Sequence, residues 1–124
     1  MTLQECYEKM GGNYEEVLSR LTKEERIEKF MLRFLEDHSF EELCKALEEK
    51  NYEEVFRMVH TLKGVSLNLG FISLYQASEK MTEAVRGGVP LSDESLFREV
   101  EQSYCQTMEA IKTYSLEISK NKED

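Results

Sequence analysis

The sequence predicts an all-α fold, a bundle of helices, and three observations carry that prediction. Only one Pro and six Gly stand among 124 residues, which leaves few places to break a helix and too few turns for a sandwich or barrel. A Ser, Thr or Asn followed three residues later by Glu or Gln recurs along the chain, the pattern that satisfies open amide groups in a helix's first turn. Apolar residues step by three and four, and no period-2 strand stands out. The length suits one compact domain, and 40% hydrophobic against 33% charged residues supply a modest core and argue against disorder.

Taken in order, Thr2 with Glu5 opens a short helix over 2–9, which Gly11-Gly12 ends. Asn13 caps a second over 13–20 that holds Val17 and Leu18. Thr22 with Glu25 opens 22–37, where Ile27, Phe30, Met31, Phe34 and Leu35 form an apolar stripe. Ser39 with Glu42 opens 39–49, Asn51 with Glu54 opens 51–69, and Ser73 with Gln76 opens 73–86. Gly87-Gly88 and Val89-Pro90 break the chain before a last helix over 92–118, striped by Leu96, Phe97, Val100, Tyr104, Met108, Ile111 and Ile118. Such stripes are core, since every helix of a bundle buries one face. The charged residues 119–124 are expected to fray.

The balance of 16 basic against 25 acidic residues gives a formal charge of −9, which repels a phosphate backbone or an anionic membrane. No nucleic-acid or membrane partner is expected. The N-terminal residues Met1-Thr2-Leu3-Gln4-Glu5 carry no leader pattern, and no window approaches the roughly 18 apolar residues of a membrane span. Cys6, Cys44 and Cys105 are an odd number at wide spacing without a C-x-x-C pair, so they read as reduced structural thiols of a soluble, cytoplasmic chain. Cys44, among Phe40, Leu43 and Leu47, fits a small buried hydrophobe. His38, beside Asp37 and Ser39, reads as a favourable cation at a helix C-terminus. The pairs Glu15-Glu16, Glu41-Glu42 and Glu53-Glu54 sit at helix starts, where the helix dipole explains them without a metal.

One helix is chemically specific. Within 51–69, Val55, Val59, Leu62, Ser66 and Leu69 cluster on one side at 100° per residue, and His60 lies about 130° from the centre of that stripe. A bundle that buries Val59 and Leu62 therefore leaves the imidazole at solvent. Lys63 and Gly64, at i+3 and i+4, flank it with a cation and a gap. A mid-helix Gly costs about 1 kcal/mol relative to Ala, and close approach of another group is the usual reason for one. Phe56 and Leu67 fall at the same azimuth, where a purely solvated face would carry charge, and form a candidate docking patch. A neutral imidazole, available near pH 7, attacks phosphorus and holds a phosphoryl group as a phosphoramidate, with Lys63 balancing the added charge. Neither G-x-G-x-x-G nor G-x-x-x-x-G-K-[ST] is present, so the chain is not expected to phosphorylate itself from ATP.

The segment His60-Thr61-Leu62-Lys63-Gly64-Val65-Ser66-Leu67-Asn68-Leu69-Gly70 resembles the signature of the histidine-containing phosphotransfer (HPt) domain. In that family His-x-Leu-Lys-Gly is followed six residues on by Leu-Gly. The resemblance implies an antiparallel up-down four-helix bundle, for which 39–49, 51–69, 73–86 and 92–118 are the natural four. It covers the chain from about residue 22, with 1–21 as an N-terminal helical extension and 22–118 as the bundle of a single domain. It further implies a phosphorelay intermediate, not an enzyme in its own right. His60 accepts a phosphoryl group from a receiver-domain aspartate and passes it to another receiver, with a hybrid or sensor histidine kinase upstream. No cofactor belongs to the chain itself, and Mg²⁺ is supplied by the receiver. Lys63 matches the phosphate-side lysine and Gly64 the small residue that leaves room for the receiver. On the next helix, Thr82 and Arg86 match positions where members carry polar or basic residues directed at the histidine, although some relatives carry the longer Gln at the Thr82 position.

Two other classes are consistent with the residues. One is a non-relay binding module that docks a partner helix on the Phe56, His60 and Leu67 surface. The other is a metal protein using His38, His60 and Cys44, although His60 and Cys44 fall on diverging faces. Without a long additional heptad repeat, a monomer is expected.

Overall fold

The computed structural model describes residues 1–123. They form seven α-helices and one 3₁₀ turn: α1 (Leu3–Met10), α2 (Tyr14–Leu21), α3 (Glu24–Arg33) with the 3₁₀ turn Phe34–Glu36, α4 (Ser39–Glu48), α5 (Tyr52–Asn68), α6 (Ile72–Ala84) and α7 (Ser95–Glu123). The fold is all-α, as the scarcity of turn residues predicts. Three-residue links at 49–51 and 69–71 allow only antiparallel neighbours, so α4, α5 and α6 run up and down in order, and α7 returns against α6. The bundle closes differently between α4 and α7. There the ring of Phe40 stacks on Tyr104 at 4.1 Å and on Phe97 at 6.1 Å, with Phe34 edge-on to Tyr104. Aromatic rings fill that seam instead of close backbone packing.

Along the inside of the four helices, Leu43, Val55, Val59, Leu62, Leu74, Met81, Val100 and Ile111 are wholly buried. Ser66, Thr82 and Thr107 are buried among them, each hydroxyl donating to the carbonyl one turn back. That back-bonding lets a hydroxyl sit in an apolar interior without a missing partner.

The N-terminal helices are built into the same core. Leu3, Cys6, Tyr7, Met10 and Val17 join the buried cluster, and α1 lies along α7. There Gln106 donates to the Lys9 carbonyl at 2.7 Å and the Cys6 thiol to the Ala110 carbonyl at 3.5 Å. The hydroxyl of buried Tyr7 donates to the Leu69 carbonyl at 2.7 Å.

Several boundary expectations are corrected. The Thr2–Glu5 capping box forms, and Asn13 and Asn51 accept from the N–H groups of Glu16 and Glu54. Thr22, in contrast, is left-handed at φ +67 and closes α2, while α3 starts from Lys23 with no side-chain cap. Ser39 is already helical, and Asp37 accepts its N–H at 2.9 Å. Ser73 lies inside α6 and donates to the Gly11 carbonyl, tying α6 to the α1–α2 turn. The expected 22–37 helix breaks at Phe34, and α7 starts at Ser95 behind an Asp93 cap rather than near Ser92. The last helix runs past the expected end at 118, α7 continuing through Glu123. Asp124 lies outside the described residues. His38 stands at the N-cap of α4, 3.4 Å from Glu41, and so is not a C-terminal cation.

Candidate functional site: the exposed face of α5

Helix α5 is anchored at both ends. Asn51 caps its start, and Glu53 and Glu54 occupy the first turn, where the dipole favours negative charge. At its end, carbonyls that have no partner within the helix receive donors from the N-terminal hairpin. Arg20 donates to Leu67 at 2.9 Å and Tyr7 donates to Leu69. Gly70 then turns the chain at φ +73, where an added Cβ would lie 3.1 Å from the Asn13 carbonyl oxygen and from Val17. The Leu-Gly that closes the sequence signature therefore terminates the helix and seats it against α2.

Between these anchors Val55, Met58, Val59, Leu62 and Ser66 are buried, and the opposite face carries His60, Gly64 and Leu67 in the open. His60 is exposed, as the 100° projection requires. Lys63 is half-buried beside it. A Cβ built on Gly64 meets nothing within 4 Å, so no neighbour inside this chain needs the glycine. Leu67 is 38% exposed and Phe56 half-buried.

Phe56 does more than border the site. Its ring stacks on the His60 imidazole with centroids 5.6 Å apart and planes 12° from parallel, a contact of a kind that contributes about 0.5–1.5 kcal/mol beyond its buried area. The Arg86 guanidinium carbon lies 5.4 Å from the centre of the same ring. Arg86 is itself held by Glu83 through two hydrogen bonds of 3.1 and 2.6 Å. Those bonds, with Arg86's charge and smaller contributions from Lys63 and His60, keep the Glu83 carboxyl below its usual range. The same pairing raises Arg86.

Of the residues singled out in sequence, the structure brings Phe56, His60 and Arg86 together and places Lys63, Gly64 and Leu67 on the same helix face. Thr82 is not among them. It is wholly buried and its hydroxyl donates to the Ser78 carbonyl at 2.6 Å, so it faces the core and cannot reach a group on His60. Arg86 sits in the turn after α6 rather than on the helix. Glu83 and Arg20 went unnoticed in the sequence. The Glu83–Arg86 spacing of i,i+3 was a usable signal, whereas Arg20 reaches α5 only through the tertiary fold.

Cys44 is half-buried rather than buried, and lines an open groove of about 500 Å³ with Leu47, Phe97 and Glu101 that does not include His60. Burial raises its thiol, and raises that of Cys6 to about 11, which leaves both as weak nucleophiles at neutral pH. Among the described residues no three His, Cys, Asp or Glu side chains group as a metal site, and no helix is long and apolar enough to cross a membrane.

The Hpt domain family model matches residues 31–114, from the end of α3 into α7. The chain belongs to the Hpt domain family. Membership carries histidine phosphotransfer in phosphorelay signalling, and with it interaction with the receiver domains and kinases of two-component systems. Hpt domains are phosphocarrier modules. The matched span contains all of α5, and α1 and α2, which hold the carbonyl end of that helix, precede it. No curated protein and no solved structure matches the chain.

Proposed function

We propose that His60 is the phosphorylated residue of a phosphorelay intermediate. The lone pair of the unprotonated imidazole nitrogen attacks the phosphorus of a receiver's aspartyl phosphate. A nitrogen–phosphorus bond forms as the phosphorus–oxygen bond breaks, and the aspartate carboxylate leaves. The reverse step delivers the group to a second receiver. Most of the demand in such a reaction is positioning and charge stabilisation, so the receiver brings Mg²⁺ and the carboxylate while this chain brings the nucleophile. The ammonium of Lys63 balances the phosphoryl charge, and the open space over Gly64 admits the receiver's active site. Kinase activity of its own has no place in this scheme.

The observation that carries the reading is the exposed imidazole on the face opposite the buried stripe of α5, beside a cation and a glycine that nothing within the chain requires. Incubation with a phosphorylated receiver domain and Mg²⁺ is expected to transfer an acid-labile, base-stable phosphate to the protein, and His60→Ala is expected to stay unlabelled. Labelling that survives the substitution overturns the assignment. Binding of the receiver without any labelling of the unaltered protein instead supports a docking module.

A further inference from the structure

The stack beside His60 gives Phe56 a role distinct from partner docking. Phe56 is rooted in the bundle, packed against the core from a half-buried position. Its ring lies parallel to the imidazole one helical turn on, and the Arg86 guanidinium lies over that ring. The two oxygens of Glu83 accept from the Arg86 Nε and Nη2, which favours the guanidinium position over the Phe56 ring. An exposed histidine on a helix ordinarily samples several rotamers, and a nucleophile that samples several is in its reactive geometry for only part of the time.

We propose that Phe56 is a positioning residue for phosphoryl transfer, holding the His60 imidazole in one orientation, while Arg86, fixed by Glu83, steadies the Phe56 ring. The proposal rests on His60 being the phosphorylated group. It assigns Arg86 an action through Phe56, and it makes the turn after α6 part of the nucleophile's support.

A small-molecule donor separates positioning from docking, because it has no protein surface to recognise. Phosphoramidate serves: the imidazole lone pair forms a nitrogen–phosphorus bond, the donor's own phosphorus–nitrogen bond breaks, and ammonia leaves. Phe56→Leu keeps an apolar side chain of similar reach and removes the ring. It is expected to slow His60 phosphorylation by phosphoramidate about fivefold, the middle of the range one aromatic contact supports. Phe56→Tyr is expected to react within about twofold of the unaltered protein. With a phosphorylated receiver, Phe56→Leu is expected to lower kcat with KM unchanged. The His60 ring protons, shifted by the stacked ring, are expected to move toward random-coil positions in the NMR spectrum of the same variant. Unaltered phosphoramidate kinetics in Phe56→Leu, with a raised KM for the receiver, overturn the proposal and make Phe56 a docking residue. Should Phe56→Leu lose helicity, Arg86→Gln at the surface provides the second test, with a slowing of about twofold expected and no slowing counting against the proposal. Failure of the unaltered protein to be labelled by either donor overturns the relay reading itself, a result separate from any difference between variants.

Discussion

Replacing Gly64 by Ala adds one methyl group in the middle of α5 at a point where nothing lies within 4 Å of it. Two consequences follow, of opposite sign. In the isolated protein no contact is lost and no strain is introduced, because Gly64 is helical and is absent from the positive-φ positions. Its conformational freedom in the unfolded chain is reduced, and a Gly→Ala change at a compatible helical site stabilises by about 0.4–1 kcal/mol. For a chain of this size that raises Tm by about 2–4 °C. Against a receiver the added bulk acts in the other direction, slightly for Ala and severely for Gln, whose side chain projects into the space over His60. Thermal unfolding followed by circular dichroism, together with receiver titration, reads both quantities. Gly64→Ala is expected to be more stable than the unaltered protein, and Gly64→Gln to fold but bind the receiver at least about tenfold more weakly, a clash equivalent to about 1.4 kcal/mol. A destabilised Gly64→Ala contradicts the open space around the residue. Equal receiver affinity for Gly64→Gln refutes the clearance argument.

Gly70 provides the opposite case: at φ +73 with the Asn13 carbonyl 3.1 Å from an added Cβ, Gly70→Ala is expected to lose at least about 1 kcal/mol in denaturant titration. Tyr7→Phe removes the donor to the Leu69 carbonyl and is expected to destabilise by about 1–3 kcal/mol, measured by urea unfolding, since a partly buried acceptor is left unpaired. The buried Cys6 thiol is raised from 9.0 to about 11, so between these values the unfolded chain ionises while the folded thiol stays neutral. Its contribution to stability is present below pH 9 and is lost by about 2–3 kcal/mol as pH rises to 11, and Cys6→Ala is expected to flatten that part of the pH–stability curve. Lys63→Ala is expected to shorten the phosphohistidine lifetime or slow transfer with helicity intact. Unchanged kinetics remove the lysine from the mechanism.

Helix α5 was legible in the sequence because burial of one side of a regular helix fixes the other. Val55, Val59, Leu62 and Ser66 are all buried, and His60 is exposed as the projection requires. Leu69, the last residue of the predicted stripe, is only half-buried, since it lies past the end of the helix where the 100° step no longer applies. The start patterns were less reliable because a glutamate-rich chain repeats the capping spacing by composition alone. Thr22 and Ser73 match it, yet the turn into α3 and the tie to Gly11 claim their backbone and hydroxyl instead. Thr82 failed for a related reason: a family position carried across by counting says nothing of the side chain's direction, and here packing turns it inward. The contribution of α1 and α2 to the carbonyl end of α5 was not readable at all. The hydrogen bond from Tyr7 to Leu69 joins positions 62 residues apart, a separation no local pattern encodes.

The proposed relay requires one atom of one side chain, on His60, to accept phosphorus, and the position of the group on the chain tests that directly. Rapid quench at alkaline pH after mixing with a phosphorylated receiver and Mg²⁺, followed by mass-spectrometric mapping, is expected to place the phosphoryl group on His60, with His38→Ala modified to the same extent as the unaltered protein. A phosphoryl group found on His38, or on any residue outside the exposed face of α5, would contradict it.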